Sequence, residues 1–118
     1  MGTFNIDIEI RDTQGRRFER VSAMVDTGAS YTYVPRSILE KLGVKPTFKF
    51  PFILPDGREV QLDMAETKVK FDGMTRTQLV VFGEEDTEPL LGAFSLESFG
   101  LAVDPLKRKL FPVPGSLR

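Results

Sequence analysis

Along most of this chain apolar and polar residues alternate with a period of two, the spacing that turns one face of an extended strand inward. Phe4, Ile6, Ile8 and Ile10 interleave with Asn5, Asp7, Glu9 and Arg11, and Val21, Ala23 and Val25 repeat the pattern on a stretch that runs into Asp26. Asp12-Thr13-Gln14-Gly15 supplies the turn residues between them. After Asp26-Thr27-Gly28-Ala29, residues 31–34 are β-branched or aromatic enough to predict a third strand. Phe48, Phe50, Phe52 and Leu54 alternate up to Pro55-Asp56-Gly57, and Val60, Leu62 and Met64 alternate on the way back. That predicts a long hairpin with an Asp-Gly tip. The same alternation assigns Phe48, Phe50 and Phe52 to the core in preference to a substrate pocket, while Tyr31 and Tyr33 are assigned to packing or to a rim, with a subsite wall as the alternative for one of them. Residues 68–71 and 78–82 flank Asp72-Gly73 as another hairpin, and 101–103 and 109–113 close the chain around the Asp104-Pro105 turn.

Two segments break the alternation. Residues 35–43 place Ile38, Leu39 and Leu42 on one helical face. Pro35 suits a first turn, where its missing N–H costs nothing, and Gly43 suits a left-handed stop. Residues 93–99 predict a second short helix ended by Gly100. Six or more short strands, two short helices and no long-range repeat give a mainly β class, built as a closed or barrel-like sheet. A length of 118 residues fits one domain over 1–118.

Composition then narrows the chemistry. There is no Cys and no His, which excludes thiolate nucleophiles, Ser-His-Asp catalysis and the usual zinc ligand sets, so no metal or cofactor is expected. The 16 basic and 17 acidic residues give a net charge of -1, which offers no footprint for nucleic acid. Lys107-Arg108-Lys109 is a solvated edge near a turn. No apolar run reaches the roughly 20 residues that span a bilayer, and residues 1–5 lack the pattern of a signal peptide, so a cytoplasmic location is expected. Any catalysis falls to carboxylates, hydroxyls, lysines or tyrosines.

Ala23-Met24-Val25-Asp26-Thr27-Gly28-Ala29-Ser30 is the informative segment. An apolar strand anchors the loop that carries the carboxylate, Thr27 can both donate and accept, and Gly28 admits a close backbone. These residues resemble the signature of aspartic peptidases. Leu90-Leu91-Gly92 resembles the family's second element, two aliphatic residues and a glycine packed against the catalytic loop, and the hairpin around 52–62 lies where the family carries its mobile flap. The ordered set is similar to the single-lobe, retroviral-like branch, including its cellular and prokaryotic members. The resemblance implies Asp26 as the catalytic residue, with Thr27, Gly28, Ala29, Leu91 and Gly92 supporting its loop. It also implies substrate contacts from Gly28, Ser30, Leu54, Pro55, Asp56 and Gly57, to a polypeptide held in extended form.

Hydrolysis by such chemistry takes two carboxylates sharing one proton, for which aspartic proteases are the standard instance. The chain has one Asp-Thr-Gly; Asp12-Thr13-Gln14 and Asp86-Thr87-Glu88 lack the glycine. A second chain must therefore supply the second aspartate, and a homodimer is expected. Three positions depart from the retroviral pattern. Ser30 and Ala93 stand where an acidic residue and an arginine usually pair, and the hairpin tip, Pro55-Asp56-Gly57-Arg58, is charged where glycines are usual. Its charges must find partners or stay wet.

Other functions remain open on the residues alone: a non-catalytic dimeric peptide-binding module that retains the acid-protease fold, or an unrelated small β-barrel that binds a peptide or small ligand. Phosphoryl transfer through Asp26 has little support, since no second Asp sits two residues on.

Overall fold

The two-residue alternation produces strands whose inward faces fill a single core. The computed structural model describes residues 3–117; Met1 and Gly2, from the amino-terminal segment considered above, and Arg118 lie outside it. β1 (Phe4–Arg11) and β2 (Phe18–Val25) pair antiparallel, with Phe4 opposite Val25 and Arg11 opposite Phe18. β3 (Thr32–Pro35) leads into α1 (Arg36–Lys41), and β4 (Phe48–Ile53) returns as β5 (Glu59–Phe71). β6 (Met74–Gly83), β7 (Leu90–Leu91), α2 (Ala93–Phe99), β8 (Leu101–Asp104) and β9 (Lys109–Pro112) complete the chain.

The main sheet runs β1-β2-β7-β3-β6-β5-β4. A further pairing of β1 with β5, at Glu9–Lys70 and Ile10–Val69, bends six of these strands into a ring and leaves β4 outside it. β8 and β9 form a separate two-stranded sheet. Inside the ring lie Ile8, Ile10, Ala23, Val25, Val34, Val69, Val80 and Leu91, with Leu39 of α1 and Leu96 and Phe99 of α2 against them. The fold is thus mainly β and barrel-like, with two short helices, as the alternation predicts.

Three local expectations change. The two predicted hairpins share one strand: β5 is 13 residues long, and its alternation changes phase where the adjacent Met64 and Ala65 are both buried, so the more buried positions pass from Val60, Leu62 and Met64 to Ala65, Thr67 and Val69. Pro35 closes β3 and caps α1 from outside. Its ψ of 136° keeps it extended and opposite Gly83. Phe48, Phe50 and Phe52 are not core: Phe48 and Phe50 are 42% and 39% exposed and Phe52 is half-buried. They sit on the sheet's terminal strand, outside the ring, where alternation sorts faces but neither face meets the core. The glycine stops hold, with Gly43 at φ 76° and Gly100 at φ 68°.

Candidate active site

Asp26 stands where a buried strand ends. Val25 is only 4% exposed, and β7 slots between the two strands that flank the loop, parallel to β2 (Val25 opposite Leu91) and antiparallel to β3 (Tyr33 opposite Leu90). The backbone is therefore bonded on both sides of the carboxylate. The Met24 N–H donates to the Pro89 carbonyl at 2.9 Å and the Asp26 N–H to the Leu91 carbonyl at 3.1 Å. Within the loop, the Gly28 N–H donates to Asp26 Oδ1 at 2.9 Å, which fixes the carboxylate's rotation. Asp26 is half-buried, whereas Thr27, Gly28 and Ser30 are exposed.

α2 ties down the far side of the loop. The first N–H groups of a helix have no partner within it. Here Ala93 donates to the Ala29 carbonyl at 2.7 Å and Phe94 to the Ser30 carbonyl at 3.0 Å. The Gly92 N–H donates to Thr32 Oγ1 at 3.2 Å, and that hydroxyl lies 2.6 Å from Ser95 Oγ, both side chains buried. Gly92 is required at this spot because a Cβ would sit 2.5 Å from the Tyr31 carbonyl oxygen. Thr32 and Ser95 are a part of the site that the sequence reading omits. Thr32→Val, which strands two buried polar partners, is expected to cost about 1–3 kcal/mol in urea unfolding. Thr32→Ser should cost less, and equal losses for the two would mean that the hydroxyl pair contributes nothing.

The β4–β5 hairpin carries the other expected residues. Its tip is a tight turn, with the Gly57 N–H donating to the Leu54 carbonyl and the Leu54 N–H to the Arg58 carbonyl, each at 2.8 Å, and Gly57 at φ 89°. The charges at this tip satisfy each other. Asp56 Oδ1 accepts from the Arg58 N–H at 3.0 Å, and Arg58 Nε donates to Asp56 Oδ2 at 2.7 Å. The Arg58 N–H, then its guanidinium, hold the Asp56 carboxyl below its ordinary value. Among the described residues no hydrogen bond or ion pair joins 54–57 to the Asp26 loop; the hairpin meets the loop instead through rings, with Tyr31 and Phe52 centroids 5.8 Å apart.

Lower on the hairpin, Asp63 accepts from Lys49 Nζ at 2.7 Å and from Arg36 Nη2 at 2.6 Å, which joins β4, β5 and α1. Lys49, then Arg36, depress its pKa below the ordinary aspartate value of 3.8. A depressed carboxyl contributes stability above its unfolded pKa and loses it as pH falls through the folded value. The expected contribution is about 0.5–1 kcal/mol, since both cations are partly exposed and screened. Unfolding free energy should therefore fall more steeply below pH 3.8 in the wild type than in Asp63→Asn. Parallel curves would remove the anchor.

The sequence model of the aspartyl protease family matches residues 7–93, from β1 through the Asp26 loop and the hairpin to the start of α2. The chain belongs to the aspartyl protease family. Among solved structures, the solution structure of the simian foamy virus (mac) protease aligns with a TM-score of 0.58 at 25% identity, over 79% of this chain and 91% of that one. No curated protein sequence matches the chain. This aspartyl protease therefore has a retropepsin-like fold. Its matched span bonds Asp26, Gly28, Ala29 and Leu91 together, with Thr27 exposed in the same loop and Gly92 packed against Tyr31, and leaves Leu54, Pro55, Asp56 and Gly57 on a separate arm. A recess of about 610 Å³ between β1, the β5–β6 turn and the β8–β9 hairpin includes none of these residues. Tyr33 is a packing residue in the protease: its hydroxyl accepts from the Glu84 N–H at 2.9 Å, and its ring leaves no room for a Cβ at Gly83.

Proposed function

We propose that this aspartyl protease is a homodimeric endopeptidase whose two Asp26 carboxylates, one from each chain, activate a water between them. One carboxylate is ionised and takes a proton from the water. The other is protonated and donates to the scissile carbonyl oxygen, as the oxygen of the water bonds to the carbonyl carbon. The proton taken from the water then passes to the amide nitrogen, one hydroxyl of the resulting diol returns its proton to the second carboxylate, and the C–N bond breaks, giving a carboxylic acid and an amine.

The observation that carries the proposal is the orientation of the Asp26 loop. Its backbone is bonded to Leu91 and α2 from within, while Thr27 and Gly28, the residues that would meet a second copy, are exposed. A single Asp-Thr-Gly in the chain supplies half a site, and a two-fold axis through the loop supplies the rest. The Thr27 hydroxyls would then brace the two loops, and the Gly28 carbonyls would accept from the amides of an extended peptide. The β4–β5 hairpin would serve as the flap that covers that peptide. Its self-paired tip allows this without burying an orphan charge.

The test compares wild type with Asp26→Asn on a mixed peptide library, with mass measured in solution. Cleavage by wild type alone, from a particle of twice the chain mass, is expected. Equal cleavage by both would remove Asp26 from the mechanism, and an active monomer would remove the second chain.

A further inference from the structure

Four aromatic rings form an open cluster beside the Asp26 loop. Tyr31 is its hub, with ring centroids 5.2 Å from Phe94, 5.8 Å from Phe52 and 5.9 Å from Phe50, and Phe50 and Phe52 are 5.6 Å apart. All four contacts are edge-to-face. Phe94 is 51% exposed and Phe50 39%, so neither belongs to the core. Single exposed apolar side chains are ordinary on a protein surface, but a contiguous set of rings marks a binding site.

We infer that Tyr31, Phe50, Phe52 and Phe94 are a specificity pocket that seats an aromatic side chain of the substrate a few residues from the bond that is cut. The inference rests on the proteolytic reading of Asp26 and names the substrate class of that same site. Its walls belong to the catalytic backbone. Tyr31 follows Ser30, whose carbonyl accepts the Phe94 N–H at 3.0 Å, and Ala93 in between is bonded to Ala29. Phe50 and Phe52 come from β4, the terminal strand of the sheet, which pairs with β5 and with no other strand among the described residues. An extended peptide lying between the loop and the hairpin therefore passes an open strand edge and these rings together.

The ring geometry selects the occupant. Edge-to-face contacts leave the exposed parts of Phe50 and Phe94 free to take a further ring at the same spacing, whereas a charged side chain would lose water there without gaining a partner. Ala93 and Ser30 contribute no charge of their own to the rim. In a two-fold dimer each chain presents one such pocket, so the preference must fall at equal distances on both sides of the scissile bond.

The experiment measures kcat/KM for matched peptides that differ only by Phe or Ala at each of the four positions on either side of the cleaved bond. Wild type is expected to prefer Phe by about 10-fold to 100-fold at one position per side, the value of burying one ring. The ratio should fall below about 3-fold in Phe94→Ala and in Tyr31→Ala. Three results would overturn the pocket: no aromatic preference at any position in wild type, an unchanged ratio in both variants, or a Phe94→Ala protein that is monomeric where wild type is dimeric. The last would make the cluster an interface between copies.

Peptide binding to Asp26→Asn, followed by fluorescence anisotropy, separates this inference from the catalytic reading. Tighter binding of the Phe peptide than of its Ala counterpart, lost when Phe94→Ala is added, would uphold the pocket even if wild type cleaves nothing. Equal binding of the two peptides would reject it.

Discussion

Asp26→Asn is expected to lower kcat/KM for peptide cleavage by about 1,000-fold or more, because asparagine can neither take a proton from water nor share one with its partner. Stability should change little. The asparagine side chain has the same shape, and its oxygen can still accept the Gly28 N–H that now reaches Asp26 Oδ1 at 2.9 Å. A melting temperature within about 3 °C of wild type is therefore expected, which separates lost chemistry from lost fold. Mixing carries the sharper information. If wild-type and Asp26→Asn chains are co-refolded in equal amounts at fixed total concentration, random pairing leaves about a quarter of the dimers with two carboxylates. Activity should follow the square of the wild-type fraction. A linear dependence would mean that each chain carries a complete site, and a pure variant that still cleaves would mean that Asp26 carries none.

The parts of this protein that were legible in its sequence are those fixed by short-range rules. Alternation placed β1 and β2, Gly43 and Gly100 ended both helices, and Asp26-Thr27-Gly28 with Leu90-Leu91-Gly92 pointed to one loop cluster, because each signal is complete within a few residues. The cluster's bonding is long-range. Thr32 and Ser95 are 63 residues apart and share a 2.6 Å contact, yet a threonine on a strand and a serine on a helix are ordinary residues, so nothing local singled them out. Gly83 beneath the ring of Tyr33 depends on the parallel register of β3 and β6, which no local pattern encodes. The phenylalanines at 48, 50 and 52 mark the opposite limit. Their alternation was real, but a period of two says only that they share a face. It does not say whether that face meets a core or an open groove. The charged hairpin tip needed partners or water, and the turn itself supplies the partners: Asp56 and Arg58, two residues apart, meet there.

Gly92→Ala is expected to be the most destabilising single change near the site, by about 3–5 kcal/mol, which corresponds to a fall of about 10 °C or more in melting temperature. The added Cβ would lie 2.5 Å from the Tyr31 carbonyl oxygen, 2.6 Å from its carbon and 2.9 Å from its nitrogen. Every one of those atoms is backbone, so no side chain can step aside. Relief requires the β7–α2 junction to move off β3, and that movement breaks the bonds from Gly92 to Thr32, Ala93 to Ala29 and Phe94 to Ser30 that hold the Asp26 loop. Gly83→Ala supplies the control. Its Cβ would lie 2.3 Å from Tyr33 Cε1, a severe clash with a side chain. Truncating that ring removes the obstruction, so Gly83→Ala with Tyr33→Ala should lose clearly less stability than the two single losses added together. Gly92→Ala with Tyr31→Ala should lose the full sum or more, since Tyr31 retains its carbonyl whatever its side chain. Rescue of Gly92→Ala by Tyr31→Ala would show that the requirement at position 92 comes from the ring and not from the backbone approach that seats the Asp26 loop.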